Sequence, residues 1–226
     1  MSLDRKSEIA SNLTAVTQRI STAAKNVNRN PSDIKLIAVT KTFPISDLLF
    51  LYELGVRDFG ENRDQEASQK VLQLPSDINW HFQGQIQSNK LKSITSWATY
   101  IHSVDQLKYA KMISEFAGGL KKSIFLQLSL DQIPESRGGV DPVKLHDLAS
   151  EISELPNLNL MGLMAVAPLN EKSDQAFARL SKYHQLFVKD FPEAKFLSAG
   201  MSGDFESAIQ YGATHIRIGS SILGNR

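Results

Sequence analysis

The sequence predicts a single (β/α)8 TIM barrel, and two observations support this fold class. Eight short strand-like runs alternate with helix-like segments along the 226 residues, which is the order of parallel strands joined by right-handed crossovers. The length also suits this fold, which typically needs about 250 residues. A doubly wound open sheet is the alternative, but that fold usually has a glycine-rich loop after its first strand. Here "KTFP" follows the first strand.

The predicted strands are rich in β-branched and apolar residues and are bounded by turn residues. In chain order they cover 36–40, 56–62, 80–84, 100–104, 124–130, 158–166, 196–200 and 215–219. Helix-like periodicity covers 7–27, a segment from Ser46, 65–74, 106–116, a segment from Pro142, 177–187 and 204–210. No linker or composition break divides the chain. We therefore expect one domain, 1–226, with the helix of residues 1–30 packed on the barrel.

Composition excludes several classes of function. The formal net charge is only +1, and no basic stripe predicts a nucleic-acid surface. The absence of cysteine rules out disulfides and thiolate zinc sites and suits a cytoplasmic protein. No apolar run is long enough to span a membrane, no apolar leader opens the chain, and no histidine pair has metal-ligand spacing. We expect no membrane, nucleic-acid or metal site.

Candidate functional residues lie where the predicted strands end, because the carboxyl ends of barrel strands surround the active site. Lys41 follows the first strand, and Glu61 and Asn62 follow the second. The loops after strands seven and eight read "SAGMSGD" and "RIGSS". Their glycines and serines predict a phosphate site, which this fold often places there. Either loop alone could be an ordinary turn with cap residues, but the two together favour phosphate binding.

Lys41 has two interpretations. A lysine at a strand end is often a surface residue whose stem lies on apolar neighbours. A lysine desolvated in a barrel mouth is instead a nucleophile towards carbonyl groups. A phosphate site across the same mouth would suit a phosphorylated aldehyde or ketone, either an aldolase substrate or pyridoxal 5′-phosphate (PLP).

Arg217 is the second charged candidate. Strand alternation places it on one face with Gly219, and Ile216 and Ile218 on the other, so the arginine faces the barrel interior. A buried guanidinium needs an acceptor. The pyridine nitrogen of PLP and a carboxylate such as Glu61 fit this role about equally.

A family resemblance narrows these alternatives. The segments "AVTKTFP", "FGENRDQE", "WHFQGQIQSNK", "HSVD", "GLMAVAP" and "LSAGMSGDFESAIQYGATHIRIGSSILGNR" resemble, in order, the pyridoxal-phosphate homeostasis proteins, also called the proline synthetase co-transcribed homologue family. The resemblance runs from about residue 35 to the C-terminus. It implies a fold-type III PLP barrel similar to the N-terminal domain of alanine racemase.

The resemblance also implies roles for individual residues. Lys41 would form the Schiff base with PLP, Asn62 would lie beside the cofactor, and Arg217 would face the pyridine nitrogen. The phosphate would be held by Met201, Ser202, Gly219 and Ser220. The chain departs from its relatives at Ser220, where they mostly carry threonine, and at Ser129, where they carry asparagine. Arg137 and Gly138 stand where they have a Glu-x-x-Lys-Gly pattern.

These features predict a protein that stores, buffers or delivers PLP, with apo PLP-dependent enzymes as possible recipients. We expect no catalytic residues, because an arginine at the ring nitrogen keeps that nitrogen unprotonated and weakens the ring as an electron sink. The chain ends seven residues after the last predicted strand. We therefore expect it to lack the second domain that supplies the opposing acid/base in racemases, and to be a monomer. The alternatives are a small PLP-dependent racemase and a Schiff-base aldolase.

Overall fold

Eight parallel strands close into a barrel, as the sequence predicts. This computed structural model describes residues 2–131 and 138–224, with side chains from residue 5 onward. The strands are β1 Lys35–Val39, β2 Asp58–Glu61, β3 Asn79–Phe82, β4 Tyr100–Val104, β5 Lys122–Gln127, β6 Leu158–Met164, β7 Phe196–Ser198 and β8 His215–Ile218. Each strand pairs with the next, and β8 pairs with β1 to close the barrel. The predicted fold class is confirmed.

Helices surround the barrel. They are α1 Ser2–Asn26, α2 Ile45–Glu53, α3 Asp64–Val71, α4 Leu91–Trp97, α5 Leu107–Phe116, α6 Leu145–Ser153, α7 Ser173–Asp190, α8 Phe205–Gln210 and α9 Ser220–Leu223. The sequence did not predict α4 or α9. Helix α4 carries serine and threonine, which are weak helix formers, but it buries Leu91, Ile94 and Trp97. Tertiary packing therefore stabilises this helix more than propensity does.

The strand alternation of β8 is as predicted. Ile216 and Ile218 are fully buried and join the core between barrel and helices. His215 and Arg217 are also buried, but they lie on the opposite face of the strand, inside the barrel. Arg217 is paired in register with Ile37 of β1. The barrel interior therefore carries charged and polar side chains, whereas the layer outside the strands is apolar.

Helix α1 packs on the outside of the barrel, against α2, α8 and α9. It buries Ile9 and Val16, two of the residues whose spacing predicts the helix. Arg5 bonds Asp47 of α2 and the carbonyl oxygen of Leu223 in α9, each at 2.8 Å. The helix therefore covers the seam at which the last and first strands meet.

Candidate functional site

Lys41 lies in a tight turn beyond β1. The strand ends at Val39, and Thr42 has a positive φ of 67°, a backbone conformation that non-glycine residues rarely adopt. Lys41 itself is exposed. Of the two interpretations of Lys41, the structure favours the exposed side chain over the desolvated one, because the residue belongs to the turn and not to the strand.

A buried ion cluster of Lys70, Glu61 and Glu66 fixes this turn. Lys70 of α3 is buried, and its Nζ donates to the carbonyl oxygen of Thr40 at 2.7 Å and to Glu61 Oε1 at 2.7 Å. It also pairs with Glu66 at 2.5 Å. Glu66 Oε1 in turn accepts the backbone N–H of Thr42 at 2.6 Å. The cluster thus fixes the residue before Lys41 and the residue after it.

Glu61 belongs to this cluster and not to the barrel interior. Burial raises the pKa of its carboxyl group, although Lys70 and the hydroxyl of Thr40 oppose the shift. Its Oε2 is buried and has no hydrogen-bond partner among the described residues. Because Glu61 pairs with Lys70 on α3, the suggestion that it is the partner of Arg217 is wrong.

Arg217 is held by neutral groups. Its Nη1 donates to Ser198 Oγ at 2.8 Å, and its Nη2 donates to the carbonyl oxygen of Ala165 at 3.1 Å. Burial lowers the pKa of Arg217 to about 10, while Asp204 acts in the opposite direction. The guanidinium therefore remains charged near neutral pH. Over residues 5–131 and 138–224 it forms no ion pair with a carboxylate.

The loops after β7 and β8 meet at Ser202. The backbone N–H groups of Gly219 and Ser221 both point at Ser202 Oγ, at 3.3 and 3.4 Å. Gly219 also lies against β1, since a Cβ there would come 3.2 Å from the carbonyl oxygen of Val39. Ser220 is exposed beside them. Two backbone donors and several hydroxyls therefore converge next to the strand that leads to Lys41.

Met201 lies on the same rim and is exposed. Its backbone N–H donates to Asp204 Oδ1 at 2.7 Å, so that donor is already used inside the loop. The turn requires a glycine just before it: Gly200 has a φ of 91°, and a Cβ there would lie 2.7 Å from that of Ala208. This close approach brings β7 directly into α8 and sets the height of the loop.

Asn62 lies at the end of β2 and is positioned by a close backbone contact. A Cβ on Gly84 would come 2.1 Å from the carbonyl oxygen of Asn62, so only glycine allows the two strand ends to approach. The side-chain Oδ1 of Asn62 is buried and has no hydrogen-bond partner among the described residues, and the same is true of Nε2 of Gln83.

Asn62 also lines a cavity of about 520 Å³, a size typical of small-molecule sites. Its other walls come from the segments after β2 and β3 and include Arg63, Glu66, Gln85 and Lys90. Asn62 is the only predicted site residue that lines this cavity. The other predicted site residues lie towards β1 and β8 instead; they are Lys41, Arg217 and those in the loops after β7 and β8.

The sequence did not single out a hydrogen-bonded chain that crosses the barrel interior. It joins Asp58, His81, His102, Ser198 and Arg217 through four contacts of 2.8–2.9 Å. The sequence placed His81 and His102 on strands without deciding between core and function, and it overlooked Asp58 and Ser198. Strand alternation could have indicated Asp58 and Ser198, because side chains two residues apart on a strand point to the same face.

Three further observations complete the description of the site region. The described residues hold no cluster of three or more metal-ligating side chains, and no described helix is long and apolar enough to cross a membrane. Ser129 is buried, and its hydroxyl has no partner in the described chain. The predicted difference at Arg137 lies outside the described residues.

The fold and these side chains define a class of protein. It is a parallel barrel with a lysine in the turn beyond β1, a buried arginine in β8, and serines in the loops that follow β7 and β8. The family model described as "Alanine racemase, N-terminal domain" matches residues 11–226. A pyridoxal phosphate homeostasis protein from Pseudomonas aeruginosa is 42% identical over 226 residues, which cover 97% of this chain and 96% of that protein.

Two further comparisons agree. A pyridoxal phosphate homeostasis protein from Mycobacterium leprae is 37% identical over 242 residues, covering 98% of this chain and 94% of the relative. The structure of PipY from Synechococcus elongatus with PLP bound is 32% identical in sequence and superposes with a TM-score of 0.82. The match covers 96% of this chain and 100% of the PipY chain. This chain belongs to the alanine racemase N-terminal domain family and, within it, to the pyridoxal phosphate homeostasis proteins.

Proposed function

We propose that this protein binds PLP as a Schiff base with Lys41 and serves to store, buffer or deliver it in the cytoplasm. One contact carries the proposal: Gly219 lies against Val39, which brings the loop donors after β8 beside the turn that holds Lys41. An amine and a phosphate site at one end of a barrel suit a phosphorylated aldehyde. The relatives named for PLP homeostasis and the PLP-bound PipY structure support the same ligand.

The residues present fit the phosphate of this cofactor. The N–H groups of Gly219 and Ser221 converge on one hydroxyl oxygen of Ser202, and a phosphate oxygen can replace or join that acceptor. The hydroxyls of Ser202 and Ser220 add donors. Met201 would contribute packing beside the phosphate, because its own N–H is bonded to Asp204.

The residues present also fit the aldehyde and ring of the cofactor. When bound, PLP supplies an aldehyde carbon that condenses with an amine and releases water. Lys41 offers an exposed amine on a turn fixed at both ends by Glu66 and Lys70. Arg217 offers a charged guanidinium inside the barrel, and the unpaired oxygen of Asn62 offers an acceptor.

The charge on Arg217 favours a carrier over an enzyme. A permanent cation beside a pyridine nitrogen opposes protonation of that nitrogen. An unprotonated ring accepts electrons from a bound substrate poorly, which slows carbanion chemistry. Apo PLP-dependent enzymes are the proposed recipients, and a monomer remains our prediction for the oligomeric state.

The binding proposal can be tested by absorbance and trapping. We expect the purified chain mixed with PLP to absorb in the visible range, and borohydride to fix one cofactor on the Lys41 peptide, as measured by mass spectrometry. Lys41→Ala should abolish this labelling. Lys90→Ala is the matched control, because Lys90 is an exposed lysine in the wall of the neighbouring cavity, and this variant should be labelled like the wild type.

Other results would contradict the binding proposal. A chain that remains colourless with added PLP, or that labels equally after Lys41→Ala, would exclude Lys41 as the binding residue. Uptake of a phosphorylated sugar aldehyde or ketone in preference to PLP, trapped by the same reduction, would instead support a Schiff-base aldolase.

A second measurement separates carrier from enzyme. We expect no racemisation or transamination of a panel of amino acids beyond the rate of free PLP, and we expect transfer of cofactor to an apo-transaminase, measured by recovery of its activity. Turnover of any amino acid at ordinary enzyme rates would favour the racemase alternative.

A further inference from the structure

The buried chain across the barrel interior starts at the amino-terminal ends of the strands. Asp58 opens β2 and accepts two hydrogen bonds, from Lys35 Nζ at 3.1 Å and from His81 Nε2 at 2.9 Å. His81 Nδ1 lies 2.9 Å from His102 Nε2. Both rings are fully buried, so no solvent competes for these contacts.

The chain continues towards the carboxyl ends. His102 Nδ1 lies 2.9 Å from Ser198 Oγ, which accepts the bond from Arg217 Nη1 at 2.8 Å. Aromatic stacking fixes both ring planes, with His81 on Tyr100 at 4.4 Å and His102 on Phe125 at 4.5 Å between centroids. The rings therefore hold their orientation, and only the position of each proton is left to decide.

The two ends of the chain decide the proton positions. Arg217 can only donate, and an ionised Asp58 can only accept. His81 therefore donates from Nε2 to Asp58 and, when its ring is neutral, accepts at Nδ1 from Nε2 of His102. A neutral His102 then accepts at Nδ1 from the hydroxyl of Ser198, whose oxygen accepts from Arg217. With both rings neutral, each step allows a single direction.

The ionisation of the groups is consistent with this direction. Burial lowers the pKa of His81 and lowers that of His102 well below its ordinary value, with the charge of Arg217 acting in the same sense on His102. Burial alone would raise the pKa of Asp58, but its bond to His81 and the charge of Lys35 lower it overall. Both histidines are therefore neutral and Asp58 is charged near neutral pH.

We infer that Asp58, His81, His102 and Ser198 are positioning residues that act as one directed hydrogen-bonded chain to orient the charged guanidinium of Arg217. Every bond dipole in the chain points the same way, so the bonds reinforce one another and hold the acceptor of Ser198 towards the cation. Among the described residues, the other charged or titratable groups near the chain are Lys35, Tyr100, His215 and Asp204.

The chain orients Arg217 without an adjacent carboxylate. Two of its five N–H donors are used, by Ser198 and Ala165, and none of the described residues accepts from the others. A carboxylate placed beside the guanidinium would satisfy it and compete with a ligand. The consequence for PLP rests on the proposed function, so the main measurement uses the full chain without added cofactor, where its outcome is independent of PLP binding.

The test is nitrogen NMR of the ¹⁵N-labelled protein, which reports the protonation of each imidazole nitrogen. We expect His81 and His102 to be neutral at pH 7 and to carry the proton on Nε2. The excess over the other tautomer should be more than about tenfold, since reversal breaks at least two hydrogen bonds. Detection of either ring as charged at pH 7, or protonated on Nδ1, would overturn the inference without any variant.

Variants test whether the chain acts on Arg217. Ser198→Ala should leave His102 protonated on Nε2, because Asp58 and His81 still fix that proton, but it should shift the His102 Nδ1 signal, since that atom loses its donor. It should also speed rotation of the Arg217 guanidinium group, observed as broadened or averaged Nη signals. Ser198→Thr keeps the hydroxyl and should restore both signatures. His215→Gln is the matched control, because His215 is a buried barrel histidine that bonds Thr214 and is not part of the chain.

The variant outcomes also separate positioning from general stability. If His102 and Arg217 keep wild-type signals in Ser198→Ala, or if His215→Gln changes them as much, the inference is wrong. Borohydride labelling of Lys41 can then still succeed, which shows that the failure concerns the chain and not the cofactor.

Discussion

Among the described residues, the fold buries two cations, Lys70 and Arg217, and stabilises them by different means. Lys70 lies between the strands and α3, where Glu61 and Glu66 are direct counter-ions. Arg217 lies inside the barrel, where its contacts are a hydroxyl and a backbone carbonyl. The charge of Lys70 is neutralised locally and fixes a turn, whereas Arg217 has no carboxylate in direct contact among the described residues. The position of the counter-charge thus distinguishes the two cations, and of the two only Arg217 is proposed to face a ligand.

Breaking the ion cluster should have the largest effect. Lys70→Met leaves Glu61 buried without its partner, and we expect the free energy of unfolding to fall by about 3–5 kcal/mol. Urea denaturation monitored by tryptophan fluorescence measures this. Adding Glu61→Gln in the same chain should recover part of the loss, because no uncompensated charge then remains; a double variant less stable than Lys70→Met would contradict the ion-pair interpretation.

Removing the second cation should have a smaller effect on stability. Arg217→Met leaves only neutral partners, so we expect a loss of about 2 kcal/mol from unsatisfied acceptors, measured in the same denaturation experiment. Binding of PLP should weaken in this variant, as followed by visible absorbance. A stability loss equal to that of Lys70→Met would show that the interior chain supports the fold as strongly as the ion cluster does.

The stability contributed by the barrel interior, which holds His215, and that contributed by the ion cluster, which holds Glu61, should respond to pH in opposite directions. Burial lowers the pKa of His215 to about 3, against about 6.5 in an unfolded chain. Between these values the unfolded state binds a proton that the folded state does not, so stability decreases as the pH falls. Between pH 6 and pH 5 we expect the wild type to lose about 1 kcal/mol more than His215→Gln.

For Glu61 the sign reverses. The raised pKa of its carboxyl group means that the folded state keeps a proton above pH 4.5 that the unfolded state releases, so its contribution decreases as the pH rises through the folded-state value. The wild type should therefore lose stability as the pH rises above 4.5, and Glu61→Gln should not show this loss. Denaturation midpoints measured from pH 4 to pH 8 check both signs, and a common direction for the two variants would contradict the contrast.

Removing an exposed ion pair should have the smallest effect on the free energy of unfolding among these variants. Lys6 and Glu53 pair at 2.5 Å with both side chains about half exposed. Lys6→Ala should change the free energy of unfolding by roughly 0.5 kcal/mol or less, because solvent and salt screen such pairs. A loss comparable to that of Lys70→Met would mean that burial is not what distinguishes the cluster.

The sequence predicted the fold well and the site unevenly. Strand alternation was enough to place Arg217 inside the barrel, because side chains on a strand alternate regardless of what surrounds it. Lys41 was located correctly at the end of the first strand, but the sequence could not decide between an exposed and a desolvated side chain, since that depends on the Thr42 turn and its bond to Glu66. Helix α4 was missed because its stability comes from buried apolar contacts that propensity does not report.

By itself, the sequence determined the order of the strands and of the helices other than α4 and α9, the family, and the residue types at the ends of the strands. Those properties are local: they follow from periodicity and from motifs read along the chain. Only the tertiary structure decided which charges meet. Glu61 pairs with Lys70 nine residues away because α3 packs on the outside of the strands. His102 bonds Ser198 across the barrel, 96 residues away, because closing the barrel fixes which side chains share its interior.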